Sequence, residues 1–131
     1  MRFKIEGIVN VFLSYGYQTY IHLPSGKIVF NKSYDKLLCD EWDKCLKLPT
    51  FDIRVQEKIA EAFVKTKLDK AKQNIFYSEY LNKISEPKGF MNSFHWFCED
   101  NNVWVDFLDY QEKEYTKIAI KWCEENNLEY Y

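Results

Sequence analysis

The stretch that decides the fold runs from Lys88 to Asn127 and reads KGFMNSFHWFCEDNNVWVDFLDYQEKEYTKIAIKWCEENN. From Trp104 onward its apolar positions recur at Phe107, Leu108, Tyr115, Ile118, Ala119 and Trp122, with Gln111 in the one polar slot. That spacing puts them within about 60° of one line on a helix, so a helix laid on a core is expected. Asp106, Asp109, Lys113, Lys117 and Glu124 fall on the opposite side. Upstream, Met91, Phe94, Phe97 and Cys98 mark a shorter helix, and Asn101-Asn102 supplies a turn and a cap. The main core seam is expected to join Trp104, Phe107, Tyr115, Ile118 and Trp122 to Phe94 and Phe97.

Working back from this stretch, Glu86-Pro87-Lys88-Gly89 ends a preceding segment whose apolar stripe changes face. Leu68, Ala71 and Ile75 sit together, whereas Tyr77, Tyr80, Leu81 and Ile84 point the other way. Such a helix is either broken midway or buried on two sides. Before it, Asp52 is placed to cap a helix with Val55, Ile59, Ala62, Phe63 and Thr66 on one face. Gln56, Glu57, Lys58 and Glu61 take the other face.

The first third reads differently. Ile5, Ile8, Val9, Phe12 and Leu13 have helical spacing, although Gly7 weakens that helix and a strand competes as a reading. Tyr17, Thr19, Ile21 and Leu23 alternate with polar neighbours, and Pro24-Ser25-Gly26 then separates them from Ile28-Val29-Phe30. Proline presets φ for a turn and glycine supplies its positive φ, so residues 17–31 predict a β-hairpin. Ser33 is placed to cap a short helix with Leu37, Leu38 and Trp42. Cys45-Leu46-Lys47-Leu48 runs extended into Pro49 and is a candidate third strand. The fold class expected is α+β and mostly helical: a small hairpin or three-stranded sheet with four to five helices.

The chain of 131 residues suggests one domain, residues 1–131, and its 47% apolar and 18% aromatic content excludes a disordered chain. Residues 99–131 carry nine acids against three bases, whereas residues 1–98 carry fifteen bases against eleven acids. Such asymmetry either steers a partner or reflects complementarity within the molecule. Cys39, Cys45, Cys98 and Cys123 form no C-x-x-C pair, and Met1-Arg2-Phe3-Lys4 opens without a secretory leader. Reduced thiols filling small apolar sites in a cytoplasmic protein are therefore expected. No apolar run approaches the roughly 18 residues that span a bilayer.

Several of these motifs together resemble a family. The hairpin with S-G-K-I-V, then K-L-P and an aspartate-led helix, K-G-x-x-x-x-F, W-V-D-F and A-I-K-W-C-E-E-N resemble the bacterial uncharacterised protein family numbered 0158. Its members show a T-G-E-V-like hairpin, a proline-led helix, G-A-F-R-R-F-K, W-Y-x-F and a closing A-x-x-W-L-E-E-N. The resemblance spans roughly residues 17–127, with most of its weight in the last forty. Gly89, Phe94, Trp104, Phe107, Ala119, Trp122, Glu124, Glu125 and Asn126 fall on the pattern. Where the family is basic, this chain has Asn92, Ser93 and His95. If those bases touch phosphate in the family, this chain has lost them. The family's activity is not established, so the resemblance implies an architecture and no reaction.

No catalytic constellation emerges from the residues. His22 and His95 lack the H-x-x-x-H or H-E-x-x-H spacing of a zinc site. A Cys98–His95 pair is sterically allowed at i,i+3, but Glu99 and Asp100 would raise the thiol pKa. Asp106 and Asp109 share a face and could pass for an acid–base pair, yet with Lys113 they read as a solvated face. The glycines are scattered singly, so no phosphate loop is present. Neither a cofactor nor a metal is implied.

Two functions of different kinds remain. The first is an interaction protein that uses the aromatic and acidic C-terminal helices, with Asp106, Asp109, Tyr110 and Lys113 plus Trp96 and His95 as its contact. An inhibitor carried by a phage or mobile element, blocking a nucleic-acid-handling enzyme, is one form of it. The second is a nucleic-acid-binding or regulatory module built on Lys65, Lys67, Lys70 and Lys72.

Overall fold

The computed structural model describes residues 2–13, 19–29, 41–80 and 87–131. The protein is α+β and mostly helical, with five α-helices among the described residues, a three-stranded antiparallel sheet and a short parallel pair. The chain divides into two compact units, Met1–Phe51 with Tyr115–Tyr131, and Asp52–Glu114.

In the first unit, strand β1 (Arg2–Phe3) leads into helix α1 (Ile5–Leu13), which buries Ile5, Ile8, Val9 and Phe12. Gly7 does not break it. The hairpin follows as β2 (Tyr20–His22) and β3 (Ile28–Val29), with Tyr20 opposite Val29 and Ile21 opposite Ile28. Gly26 supplies the positive φ of 73° that the turn needs. Strand β4 (Cys45–Lys47) pairs with the free edge of β2, so the order is β3-β2-β4 and the expected third strand forms. A single 3₁₀ turn, Trp42–Lys44, precedes β4. The helix expected to start at Ser33, the Leu37 and Leu38 assigned to it, Cys39 and the outer hairpin residues Tyr17 and Phe30 lie outside the described residues.

The parallel pairing of β1 with β5 (Glu129–Tyr130) brings the chain ends together, Arg2 opposite Glu129 and Phe3 opposite Tyr130. Sequence pattern gave no hint of it. Phe12 meets Phe51 edge-on at 4.9 Å, and Phe51 lies 5.7 Å from Tyr115.

The second unit begins with α2 (Ile53–Lys67), where the Arg54 N–H donates to the Asp52 carboxylate at 3.0 Å as the capping pattern predicts. The face differs from expectation. Ile59, Ala60, Phe63 and Val64 are buried, Val55 and Ala62 are half-buried, and Thr66 is exposed with its hydroxyl donating to the Ala62 carbonyl at 2.6 Å. The reason is partly polar: Gln56 turns inward and its Nε2 donates to the Oε1 of buried Gln111 at 3.0 Å. One amide thereby satisfies the other. The stretch after α2 is interrupted at its start and not midway, and the change of face falls where α3 turns π-helical. The chain becomes extended at Leu68, restarts as α3 (Lys70–Ile75) under an Asp69 cap, and passes into a π-helical segment, Phe76–Tyr80. Leu81 and Ile84 lie outside the described residues.

Helix α4 (Pro87–Asp100) brings Phe90, Phe94, Phe97 and Cys98 into the interior beside Phe63 and Phe76. Its last turn closes on Asn102 at a φ of 58°, with the Val103 N–H on the Cys98 carbonyl and the Asn102 N–H on that of Glu99. Helix α5 (Trp104–Glu125) ends the same way. Asn127 takes a φ of 55°, with the Leu128 N–H on the Cys123 carbonyl and the Asn127 N–H on that of Glu124.

The buried row of α5 corrects the expected stripe. It runs through Val103 at the helix entry, then Phe107, Gln111, Tyr115, Ala119 and Cys123. Each four-residue step overshoots a full turn by about 40°, so the row winds about 200° around the helix instead of following one line. Leu108, on the expected line, is therefore left exposed, and Trp104, Ile118 and Trp122 are only half-buried.

Candidate partner-binding face

Among the described residues the large apolar side chains left exposed are Trp96, Val105, Leu108 and Tyr131, and the first three belong to α4 and α5 within residues 52–114. Trp96 is 67% exposed and Val105 76%. The rings are ordered by stacking. The His95 imidazole lies 4.0 Å from the Trp104 ring at 29° and 6.3 Å from Trp96 at 20°. Trp104 in turn lies 5.7 Å from buried Phe107. Trp104 and Leu108 are four residues apart, and Val105 and Leu108 three, so they are helical neighbours. The resulting surface is aromatic at one end and aliphatic at the other, and it rests on the phenylalanine interior through Trp104.

Its border is acidic. Glu99 Oε1 sits 3.2 Å from His95 Nε2, and Asp106 and Asp109 are exposed. Lys113 pairs with Asp109 at 3.0 Å, the expected i,i+4 contact. Six residues read from the sequence as a contact surface thus separate into two groups. His95, Trp96, Asp106, Asp109 and Lys113 are exposed; Tyr110 is half-buried, its ring 5.4 Å from Phe63. Tyr110 therefore closes the edge of the interior against α2, which removes it as a free anchor. Val105 and Leu108 were not assigned here from the sequence. Val105 stood about 100° from the apolar line, which is the signal that marks it.

Lys65, Lys67 and Lys70 are exposed around the break between α2 and α3 and form no ion pair among the described residues. Lys72 is half-buried and differently engaged. Its backbone N–H donates to Asp69 at 2.8 Å and its ammonium lies 3.5 Å from the same carboxylate. That backbone bond first, and the charge beside it, hold the Asp69 carboxyl below the usual range.

Two of the described cysteines are held as poor nucleophiles. Cys98 is fully buried, and burial, with Glu99 adding to it, pushes its thiol up to about 12. Burial and then Glu124 raise Cys123 as well. Cys45 is half-buried. Among the described residues no three His, Cys, Asp or Glu side chains form a metal-binding group.

One polar cluster went unread in the sequence. His22 is buried, its Nδ1 2.5 Å from the Ser25 hydroxyl and its Nε2 2.9 Å from Glu41 Oε2. The carboxylate oxygen is at ion-pair distance but off the line of a hydrogen bond to Nε2. The hairpin turn brings the histidine and serine together, and Glu41, at the head of the 3₁₀ turn before β4, supplies the acid.

No helix among the described residues is long and apolar enough to cross a membrane. No protein-family model matches the chain, and no curated protein or solved structure does either.

Proposed function

We propose that this chain is an interaction protein that binds a protein partner through the face of Trp96, His95, Trp104, Val105 and Leu108. The observation that carries the reading is that Trp96, Val105 and Leu108 are exposed on two consecutive helices, with the His95 ring stacked between those of Trp96 and Trp104. Burying such side chains contributes about 1.5–3 kcal/mol each, enough to anchor a complex when several act together. Glu99, Asp106 and Asp109 around them favour a partner whose apolar cleft is bordered by lysine or arginine, and they would speed encounter with it. Such a basic border is what a nucleic-acid-handling enzyme presents to its substrate, so an inhibitor of one, carried by a phage or mobile element, is the specific form of the proposal. A cytoplasmic address belongs to the same reading. Kinship with the uncharacterised family 0158 would add an architecture to it and no reaction.

Co-purification from the native host, with identification of the proteins recovered, tests this directly. The triple variant Trp96→Ala/Val105→Ser/Leu108→Ser should lose the partner while keeping its thermal melt. Asp106→Lys/Asp109→Lys should weaken recovery most at low salt. Unchanged recovery by both folded variants removes this face from consideration.

A second reading rests on Lys65, Lys67 and Lys70, whose charges are unpaired among the described residues at an exposed helix break, with Lys72 beside them. It makes the protein a nucleic-acid-binding or regulatory module. Binding to generic DNA or RNA that falls steeply with salt would favour it, and no binding at moderate salt would dismiss it.

A further inference from the structure

The cluster on the hairpin turn sets a hydroxyl, an imidazole and a carboxylate in line, and none of them takes part in the partner-binding face. Ser25 is exposed, whereas the imidazole 2.5 Å from its hydroxyl is buried at the sheet. The proton arrangement follows from the partners. The Lys27 backbone N–H donates to Ser25 Oγ at 3.2 Å, which leaves the hydroxyl proton free to donate elsewhere. Glu41 Oε2 lies 2.9 Å from Nε2, off the line of a hydrogen bond but close enough to place negative charge on that side of the ring, and with the Ser25 hydroxyl as donor Nδ1 is the acceptor facing it. Glu41 also offers its charge to an imidazolium formed at His22. The imidazole has little room to turn, because its side chain is 7% exposed and the Gly26 N–H closes the turn on the His22 carbonyl at 2.7 Å.

We infer that Ser25 is a nucleophile and His22 its general base, acting on exposed, activated acyl esters. Ser25 Oγ bonds to the acyl carbon as its proton passes to His22 Nδ1. The bond from that carbon to the ester oxygen then breaks, and His22 returns the proton to the departing alkoxide. The products are an acyl-serine and an alcohol. Glu41 is a positioning residue, since it touches the base and not the ester.

The full chain treated with p-nitrophenyl acetate tests the inference, with acetylation at each serine followed by peptide mass spectrometry. Ser78 is an internal control, exposed like Ser25 but with its hydroxyl donating to the Asn74 carbonyl at 2.7 Å. Ser25 should acetylate about a hundredfold faster than Ser78, the lower end of what a positioned base contributes. Nitrophenolate should appear in a burst of one equivalent that Ser25→Ala abolishes. The Ser25 rate in the wild type should rise with pH and level off as the base deprotonates, whereas His22→Asn should flatten that profile. Equal acetylation of Ser25 and Ser78 in the wild type overturns the proposal even if His22→Asn fails to fold. A folded His22→Asn that keeps the full Ser25 rate overturns the role of His22.

Discussion

Residues 52–114 build their interior from helices that follow one another, and they build it from phenylalanine. Phe63, Phe76, Phe90, Phe94, Phe97 and Phe107 are all buried there, and Phe94 alone stands 4.7 Å from Phe107 and 5.8 Å from Phe76, both edge-on. The other unit draws on both ends of the chain. Ile5, Ile8, Val9, Ile21, Val29 and Leu48 fill it, with Thr19 and His22 buried among them, and β1 reaches β5 across nearly the whole sequence. The difference is one of how each interior is closed. Large rings on neighbouring helices meet after short loops, whereas the paired chain ends must overcome the entropy of a long closure before a contact rewards it.

The largest expected effect lies in the ring cluster. Phe94→Ala should lower stability by about 3–5 kcal/mol, since the cavity would open among rings on every side. Trp122→Ala, at a half-buried position, should cost only about 1–2 kcal/mol despite removing more atoms. Denaturant melts of the two variants decide the point; equal losses would mean that α5 buries Trp122 fully.

Helix ends give the next contrast. Asn102→Ala and Asn127→Ala should each cost about 1 kcal/mol, because alanine resists the positive φ that both asparagines adopt. Their spread should differ. Asn127 leads into β5, so its substitution should speed amide exchange at Tyr131, whose N–H donates to the Phe3 carbonyl. Asn102 joins α4 to α5, and its substitution should leave that amide unchanged. The smallest effect is a gain. Gly7→Ala should stabilise by about 0.5–1 kcal/mol, since among the described residues a Cβ there would meet only Ile28 Cδ1 at an ordinary 3.8 Å. A loss on melting would mean that α1 is tighter against β3 than this contact implies.

Much of this was legible in the residues, for physical reasons that also mark where legibility stopped. Local signals held: Asp52 caps α2, Gly26 turns the hairpin, Asn101-Asn102 ends α4, and Cys45 begins a third strand. Periodicity placed the helices but misplaced their faces, because a single straight line was assumed along α5 while the buried row winds. Leu108 and Tyr110 exchanged roles for that reason: Leu108 was read as core and is exposed, and Tyr110 was read as exposed and covers Phe63. The parallel pair of Arg2–Phe3 with Glu129–Tyr130 was out of reach, since two-residue strands carry no pattern and their partners are distant. For the face itself, Trp96 and the acids were readable as surplus to the stripe. The His22–Ser25 contact was not, because the turn, and no motif, sets it.

The two asparagine-terminated helix ends have a practical consequence. The segments Cys98-Glu99-Asp100-Asn101-Asn102 and Cys123-Glu124-Glu125-Asn126-Asn127 each carry one fully buried thiol, one in each unit. Alkylation requires the thiolate, which burial disfavours at both positions. A maleimide pulse would therefore modify Cys98 only when residues 52–114 open, and Cys123 only when the other unit does. The molecule carries its own pair of clocks, and the ratio of their rates reports whether the two units come apart together or in turn.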